Sequence, residues 1–221
     1  MPVLGVIPAR LGSTRLPRKP LQLIGGVPLV VRVAQRASEA GVADALVVAT
    51  DSEEIAAVAR EAGVSAVLTR PEHESGTDRV AEVARRAEYA GFDIGTAAGA
   101  VVGDAAQGPS LVKVVCTANG RALYFSRSAI PYYRDVSSAG DRRYNQHIGV
   151  YACTRGALLR WASLPPTPLE LSERLEQLRA MENGLTIGVA LLDETALPGV
   201  DTQEDLERAD AHWTATVRGA A

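Results

Sequence analysis

The chain has 221 residues, of which 47% are hydrophobic and 22% are charged, proportions that fit a globular protein and exclude disorder, collagen and coiled coil. Its formal net charge of −3 gives no electrostatic footprint for a nucleic-acid duplex or an anionic membrane, so neither is an expected partner. Two cysteines, Cys116 and Cys153, make no disulfide or metal framework and favour a reducing cytoplasm. No apolar window of about 18 residues predicts a membrane span.

The first ninety residues alternate between strand and helix patterns. Short apolar runs predict buried strands at 3–8, 45–50 and 64–68. Apolar residues at helical spacing, with Gly41 and Gly63 as the first two stops, predict helices over 28–40, 52–62 and 77–89. This series predicts an α/β fold in which a mainly parallel sheet is flanked by helices.

The alternation breaks over 91–108, where only Phe92-Asp93-Ile94 and a stretch of Ala and Gly are found. Beyond the break, strands are predicted at 111–116, 122–125 and 147–152, in a small mixed-sheet subregion of about 111–155. The remaining elements are one helix over 169–183, a strand at 186–191 and a helix from Thr202 onward. Because no repeat or long linker occurs, a single domain over 1–221 is predicted.

The loop after the first strand, PARLGSTRLPRKPL at 8–21, carries the clearest chemistry. Open α/β folds bind ligands at the carboxyl ends of their strands, which is where this loop begins. Gly12 and Ser13 let backbone N–H groups approach a phosphate, and Arg10, Arg15 and Lys19 place positive charge around it. Lysine is rare here, since 21 of the 23 basic residues are arginine. Three cations around a polyphosphate suit a departing pyrophosphate, although a merely solvated basic loop remains an alternative.

This loop resembles the opening motif of the 3-deoxy-manno-octulosonate (Kdo) cytidylyltransferases, or CMP-Kdo synthetases. Further segments resemble later motifs of the family in the same order: VATD at 48–51, TRPEHESGTDR at 69–79, LYFSR at 123–127, IPY at 130–132, HIGVY at 147–151, LEQLR at 175–179 and GVDTQEDL at 199–206. The resemblance implies a Rossmann-like nucleotidyltransferase fold and a cytoplasmic homodimer. It also implies Mg²⁺-dependent transfer of CMP from CTP to the anomeric hydroxyl of an acidic sugar, with release of pyrophosphate, for lipopolysaccharide precursor synthesis.

The same resemblance implies roles for individual residues. The nucleotide-binding positions are Ala9, Arg10, Ser13, Arg15, Lys19, Ser75, Gly76 and Arg79. The sugar-binding positions are Arg127, His147, Tyr151, Glu173 and Gln177, with Arg127 facing the sugar carboxylate. Arg10, Lys19 and Asp201 are the implied catalytic residues, and Asp201 is the implied magnesium ligand.

Simpler interpretations of several positions remain open from the residues alone. Ser75 fits a helix N-cap, His147 a structural histidine, and Asp201 the N-cap of the last helix. The tyrosines of the mixed-sheet subregion fit core or dimer surface. Glu173 and Gln177 lie four apart on one predicted helix, so they are expected to share a face and to offer an acceptor and a donor together.

One segment of the family pattern is absent. Family members carry a buried strand ending in Gln-Gly-Asp-Glu-Pro, and a further helix, where this chain has a direct join between 88 and 95. The lost aspartate is the other magnesium ligand of the family, and Asp104 mimics it only faintly. A CTP-binding homologue without catalysis and an enzyme for a related sugar acid therefore stay as alternatives. Omitted residues would leave wide α-carbon spacing at the join and a vacant position beside the first strand.

Overall fold

The computed structural model describes residues 3–13, 15–41, 43–70, 94–134, 142–192 and 199–219. The chain divides into two compact units, of which one comprises 1–91 and 199–221 and the other 92–198. The single-domain assignment over 1–221 stays a prediction. Within the described ranges, no helix has the length and apolar character needed to cross a membrane.

The first unit contains a parallel sheet, as the sequence predicted, and its three strands lie in the order β1-β4-β5. Its elements are β1 (Leu4–Ala9), the short hairpin β2 (Leu23–Ile24) and β3 (Val27–Pro28), α1 (Leu29–Glu39), β4 (Ala45–Thr50), α2 (Glu53–Glu61), β5 (Ser65–Leu68) and the last helix, α6 (Gln203–Gly219). Ser52 caps α2, because its hydroxyl accepts a hydrogen bond from the backbone N–H of Ile55. The helix predicted at 77–89 lies outside the described residues.

Among the described residues, three apolar clusters hold this unit together, and two of them include residues of the loop after β1. Val31, Val48 and Ile55 pack between the sheet and the first two helices. Leu206 of the last helix packs against Leu16 and Ile24, which anchors that helix to the loop after β1. The residues that follow the first strand are therefore held from two sides by buried side chains.

The first strand is an edge strand of the described sheet. It pairs with β4 over its whole length, and no other described strand pairs with it. The α-carbon spacing expected at the join between 88 and 95 falls largely outside the described residues, which resume at Ile94.

The second unit contains a five-stranded mixed sheet in the order β10-β6-β9-β7-β8. Its strands are β6 (Gly95–Val102), β7 (Lys113–Cys116), β8 (Ala122–Ser126), β9 (Arg143–Ala152) and β10 (Gly188–Leu192), and its helices are α3 (Arg155–Ser163), α4 (Pro168–Glu173) and α5 (Gln177–Glu182). Only β10 and β6 are parallel, and the other pairs are antiparallel. The sheet is larger than the predicted subregion of 111–155.

The prediction of a break over 91–108 was wrong, because β6 occupies Gly95–Val102 and pairs with strands on both sides. Glycine and alanine have low strand propensity, yet β6 forms because it is largely buried and pairs with a strand on each side. Ala98 and Val101 are buried in the cores of this unit. The helix at Arg155–Ser163 was also missed.

The single helix predicted over 169–183 was wrong as well, since the chain forms two short helices there, α4 and α5. Arg174 separates them in a left-handed conformation, with φ of 54° and ψ of 49°. A buried ion pair joins the two helices, because Arg179 donates from Nε and Nη2 to the carboxylate of Glu170 at 2.7 and 2.5 Å. The guanidinium also reaches the carbonyl oxygen of Leu164 at 3.0 Å.

We expect replacement of Arg179 by methionine to lower the free energy of unfolding by about 3 to 5 kcal/mol, because the carboxylate of Glu170 then stays buried without its cation. Denaturant unfolding measures this loss. Arg36→Met is the matched control, since it breaks an exposed pair with Glu39 and should change the free energy by less than about 0.5 kcal/mol. Equal losses in the two variants would contradict the structural role of the buried pair.

Candidate functional site

The loop after β1 is fixed at its centre and exposed around it. Leu16 is 2% exposed and packs in the cluster with Ile24 and Leu206. The hydroxyl of Ser13 accepts a hydrogen bond from the backbone N–H of Leu16 at 3.3 Å. Arg10 and Arg15 lie on the exposed surface of this loop. The loop therefore presents cations on a backbone that is anchored by one buried leucine.

Two cations of this loop converge on Asp201, which is 182 residues away from Lys19 in sequence. Lys19 Nζ donates to Oδ1 of Asp201 at 2.9 Å. Arg15 Nη2 lies 3.1 Å from Oδ2 of the same carboxylate. The family resemblance implied that Arg15 and Lys19 hold the triphosphate and that Asp201 binds its magnesium, and the structure brings these three residues together.

Asp201 does not cap the last helix, contrary to one of the two interpretations of its sequence position. Thr202 is the cap, because its Oγ1 accepts from the backbone N–H of Asp205 at 3.2 Å. In return, Oδ2 of Asp205 accepts from the backbone N–H groups of Asp201 and Thr202, at 3.1 and 3.0 Å. The capping box belongs to the next residues, so the carboxylate of Asp201 faces the cations instead.

The two cations control the protonation of Asp201. Burial raises the pKa of its carboxyl, but the hydrogen bond and charge of Lys19, with the charge of Arg15, lower the pKa by more. The net pKa lies below its ordinary value. Because the folded-state pKa is depressed, the pairing stabilises the fold above about pH 4 and is lost as the pH falls through the depressed value.

The remaining nucleotide-side predictions divide into described and undescribed residues. Ala9 is buried at the end of β1, directly before the loop. Ser75, Gly76 and Arg79 lie outside the described residues. Arg18, which was not assigned a role, pairs with Glu54 of the second helix.

A magnesium ion has one carboxylate available beside these cations. Within the described ranges, no three or more His, Cys, Asp or Glu side chains group together as metal ligands. Mg²⁺ is commonly held by one or two carboxylates together with substrate phosphates and water, so Asp201 fits as a single protein ligand. Asp104 lies exposed in a 3₁₀ turn of the second unit, over Gly103–Gln107.

In the second unit, Arg127 and Glu173 form one network. The guanidinium of Arg127 donates to the carbonyl oxygens of Glu173 at 2.7 Å, Pro109 at 2.9 Å and Arg174 at 3.4 Å. The carboxylate of Glu173 accepts from the backbone N–H of Arg127 at 2.9 Å and from the hydroxyl of Ser126 at 2.6 Å. Arg127 therefore holds the chain at the point where the two short helices separate.

The sequence pattern predicted that Glu173 and Gln177 share a helix face, and this prediction was wrong. Glu173 ends α4, whereas Gln177 begins α5 after the left-handed residue Arg174. Glu176 lies near Tyr151, since burial of that phenol and the charge of Glu176 raise the pKa of Tyr151, whereas Glu173 acts on Tyr124. The motif LEQLR contains Glu176, which was the signal that could have selected it.

Lys113 is a functional-site neighbour that sequence reasoning passed over. Its side chain is fully buried and its Nζ donates to the carbonyl oxygens of Gly108 at 3.2 Å, Leu111 at 2.6 Å and Arg127. Burial lowers the pKa of Lys113, an effect that the nearby carboxylate of Glu173 opposes. The only sequence signal for Lys113 was the rarity of lysine, since it is one of two lysines in an arginine-rich chain.

His147 and Tyr151 lie in an aromatic group on β9. The ring of His147 contacts Phe125 edge-on at 4.9 Å and lies 5.5 Å from the ring of Tyr151, which in turn contacts Trp161 at 5.4 Å. Burial lowers the pKa of His147 to about 4, so the imidazole is neutral at pH 7. Its Nε2 lies 3.0 Å from the hydroxyl of Thr96.

A cavity of about 630 Å³ opens beside Arg127 in the second unit. Such a volume is in the range of small-molecule sites. Its polar lining is supplied by Gln107, Arg127, Ser128, Tyr132, Tyr133, Arg142 and Tyr144. The cavity offers cations and hydroxyls, which are groups that recognise an acidic, hydroxylated ligand.

A parallel sheet whose first loop gathers cations around a carboxylate, in a chain that also carries a mixed sheet with polar and aromatic residues, is the arrangement of an α/β nucleotidyltransferase. A family model described as "Cytidylyltransferase" matches residues 4–105 and 93–187. The chain is 51% identical to a 3-deoxy-manno-octulosonate cytidylyltransferase of Gemmatimonas aurantiaca, over 96% of this chain and 95% of the relative. It is 43% identical to the enzyme of that name from Leptothrix cholodnii, over 94% and 90%. The chain belongs to the 3-deoxy-manno-octulosonate cytidylyltransferase family, as its motifs predicted.

Solved structures confirm the predicted fold. A CMP:2-keto-3-deoxy-manno-octonic acid synthetase complexed with CTP matches with a TM-score of 0.87 and 36% identity, over 97% of this chain and 98% of that one. A putative glucose-1-phosphate thymidylyltransferase from Bacillus anthracis matches with a TM-score of 0.63, over 95% of this chain and 94% of that one. At 14% identity, the second likeness shows the fold alone.

The alignments also bear on the segment that the sequence analysis found absent. The alignment with the Gemmatimonas relative runs over 245 positions, which exceeds the 221 residues of this chain. Some aligned positions of the relative therefore have no counterpart here. The family model matches in two pieces that overlap over 93–105, directly after the predicted join.

We expect Lys19→Ala to raise the pKa of Asp201, because the effect of burial is then opposed by Arg15 but no longer by Lys19. Carboxyl ¹³C titration by NMR measures this change. Arg18→Ala, which removes a neighbouring cation that pairs with Glu54, is the matched control and should leave the titration unchanged. Identical titrations in the parent and Lys19→Ala proteins would contradict the electrostatic coupling.

Proposed function

We propose that this chain transfers CMP from CTP to the anomeric hydroxyl of Kdo and releases pyrophosphate. The observation that carries the proposal is that Lys19 and Arg15, in the loop that follows the first strand, converge on the carboxylate of Asp201. The substrates are those in the printed names of relatives that align with nearly the whole chain, and a related synthetase is complexed with CTP. A cytoplasmic role in lipopolysaccharide precursor synthesis is part of the same proposal.

The cations of the loop act on the triphosphate. Arg10, Arg15 and Lys19 bind its oxygens, and Ser13 with the surrounding backbone offers further hydrogen-bonding groups. The anomeric hydroxyl loses its proton to water as its oxygen forms a bond to the α-phosphorus, and the bond from that phosphorus to the bridging oxygen of pyrophosphate breaks. Negative charge collects on the departing pyrophosphate, where Lys19 and Arg10 stabilise it. No covalent intermediate with the protein is required.

Magnesium is the cofactor in this proposal. Asp201 would hold it together with phosphate oxygens and water, and the ion would supply additional neutralisation of phosphate charge. Nucleotide binding then draws Lys19 and Arg15 away from Asp201, which frees the carboxylate oxygens of that residue. Ser75, Gly76 and Arg79 complete the nucleotide side.

The sugar acid is assigned to the second unit. Arg127 meets its carboxylate, and His147, Tyr151, Glu173 and Gln177 contact its hydroxyls. The neutral imidazole and the phenol of Tyr151 can each exchange hydrogen bonds with a hydroxyl. Lys113 and the carboxylate of Glu173 hold the backbone of Arg127, and three carbonyl oxygens hold its guanidinium.

Pyrophosphate release from CTP and Kdo tests the proposal directly. We expect release only when both substrates and Mg²⁺ are present, with no release when ATP replaces CTP. Absence of turnover with every sugar acid, from a protein shown to be folded, would overturn it.

A CTP-binding protein without catalysis is the second candidate, which is favoured by aligned positions that this chain lacks. Calorimetric titration with CTP separates the two, since this candidate binds CTP and releases no pyrophosphate. A further alternative is an enzyme whose preferred substrate is a related sugar acid. Kinetics measured in parallel with Kdo, amino-Kdo and a sialic acid test it.

Replacement of Lys19 by alanine should lower turnover by about 100-fold or more, because a fixed cation that stabilises a leaving group acts mainly on the transition state. Its effect on the melting temperature should be small, since an ion pair that is about one-third exposed stabilises little. Arg18→Ala is the control for loss of loop charge and should keep near-parental turnover. Parental turnover in Lys19→Ala would exclude the triphosphate role of this loop.

A homodimer is the proposed assembly, with the surface between Tyr124 and Tyr151 as its interface. Tyr132 is 87% exposed and Val150 is 66% exposed, so this surface carries apolar area suited to contact with a second copy. Light scattering should give twice the chain mass at micromolar concentration. Tyr132→Ser should shift the equilibrium toward monomer, and a parent protein that is monomeric throughout would contradict the assembly.

A further inference from the structure

The strand that carries His147 contains an irregular segment opposite β6. Thr96 of β6 is paired with Tyr151, whereas the next residue, Ala97, is paired with Ile148. Two residues of β9, Gly149 and Val150, therefore have no partner on β6. Such a bulge leaves backbone groups without the usual ladder bonds, and these groups need other partners.

Thr96 supplies a partner for the carbonyl groups of the bulge. Its Oγ1 lies 2.7 Å from the carbonyl oxygen of Val150 and 3.1 Å from that of Ile148. A carbonyl oxygen only accepts hydrogen bonds, and a threonine hydroxyl has one proton to donate. The proton of Thr96 is therefore directed to the bulge, most directly to Val150 at the shorter distance.

The third neighbour of this hydroxyl is Nε2 of His147, at 3.0 Å. Since the single proton of Thr96 is directed to the bulge, its oxygen is left to accept, and Nε2 has to donate. Burial lowers the pKa of His147 to about 4, so the ring carries only one N–H at pH 7. That N–H is then on Nε2, and Nδ1 is an acceptor.

We propose that Thr96 is a positioning residue that fixes His147 as the Nε2–H tautomer and thereby presents Nδ1 as an acceptor for a hydroxyl group of the sugar acid. The tautomer follows from the contacts of Thr96 and from the burial that keeps the ring neutral, while its use on the sugar rests on the function proposed above. Among the described residues, Nδ1 of His147 has no hydrogen-bond partner. The ring is held between Phe125 and Tyr151, so its orientation is fixed as well as its tautomer.

The proposal sets the direction of one hydrogen bond in the complex. A fixed acceptor strengthens the binding of a ligand group that can donate a proton, such as a hydroxyl. It does not strengthen the binding of an ether or a carbon-bound hydrogen at the same place. His147 would in this way help to select a hydroxylated sugar without taking part in proton transfer. The strand bulge would set that preference through a single hydroxyl, that of Thr96.

The tautomer can be read without substrate. Long-range ¹H–¹⁵N spectra of protein labelled at its three histidines, at pH 7, distinguish a protonated ring nitrogen from an unprotonated one, and a His147→Asn variant assigns the signals. We expect the protonated nitrogen of His147 to be Nε2, which couples to both carbon-bound ring protons. A proton on Nδ1, or averaged signals from two tautomers, would overturn the proposal.

Two variants test the positioning role. Thr96→Val keeps the shape of the side chain and removes the hydroxyl, whereas Thr96→Ser keeps the hydroxyl. The valine variant should show mixed tautomers and a KM for the sugar acid that is raised about fivefold to tenfold, with the KM for CTP unchanged. The serine variant should restore both readouts.

Unchanged spectra and an unchanged KM in Thr96→Val would remove the role of Thr96. Thermal unfolding of both variants shows whether each is folded, and the spectra of the parent and serine proteins decide the tautomer even where the valine variant fails to fold. If the parent binds no sugar acid and releases no pyrophosphate, the proposed function fails while the tautomer stands on its own measurement.

Discussion

The pairing of Asp201 with Lys19 and Arg15 is the interaction on which the arrangement of the loop after the first strand depends. The carboxylate of Asp201 lies before the last helix and receives Lys19 and Arg15 from that loop, so it ties together parts of the chain that are 182 residues apart. Cations that are gathered in this way without a ligand would repel one another. One negative group between them keeps the loop in a single arrangement, and the buried side chain of Leu16 fixes the backbone beneath it.

Local pattern was sufficient for the three parallel strands and the three described helices of the first unit, but not for its short hairpin, β2 and β3. Each strand there is a short apolar run, each helix has apolar residues at helical spacing, and Ser52 and the glycines mark helix ends, so several independent signals agreed. The cation loop was recognised because its residue types and its place after a strand have a direct physical meaning. Neither signal could show that Thr202 caps the last helix and leaves Asp201 available, because both residues are acceptable caps.

The second unit was predicted less well, and for a physical reason. The strand at Gly95–Val102 consists of small residues, so its identity comes from neighbours on both sides and not from its own propensity. The division between the two short helices depends on Arg174 in a left-handed conformation and on carbonyl groups that Arg127 holds from a distant strand. The tautomer of His147 depends on a bulge three residues away. Long-range contacts of this kind leave little trace in local sequence.

The edge of the first strand has a consequence for handling the protein. Leu4–Ala9 carries no charged side chain, and among the described strands only β4 pairs with it. Proteins usually protect such an edge with charge, a bulge or a covering element, because open backbone groups recruit strands from other molecules. Pro8 interrupts the row of donors at one position only. A strand–helix segment beside β1 would thus also protect the protein from aggregation, because it would cover the unpaired backbone groups of this edge during folding and storage.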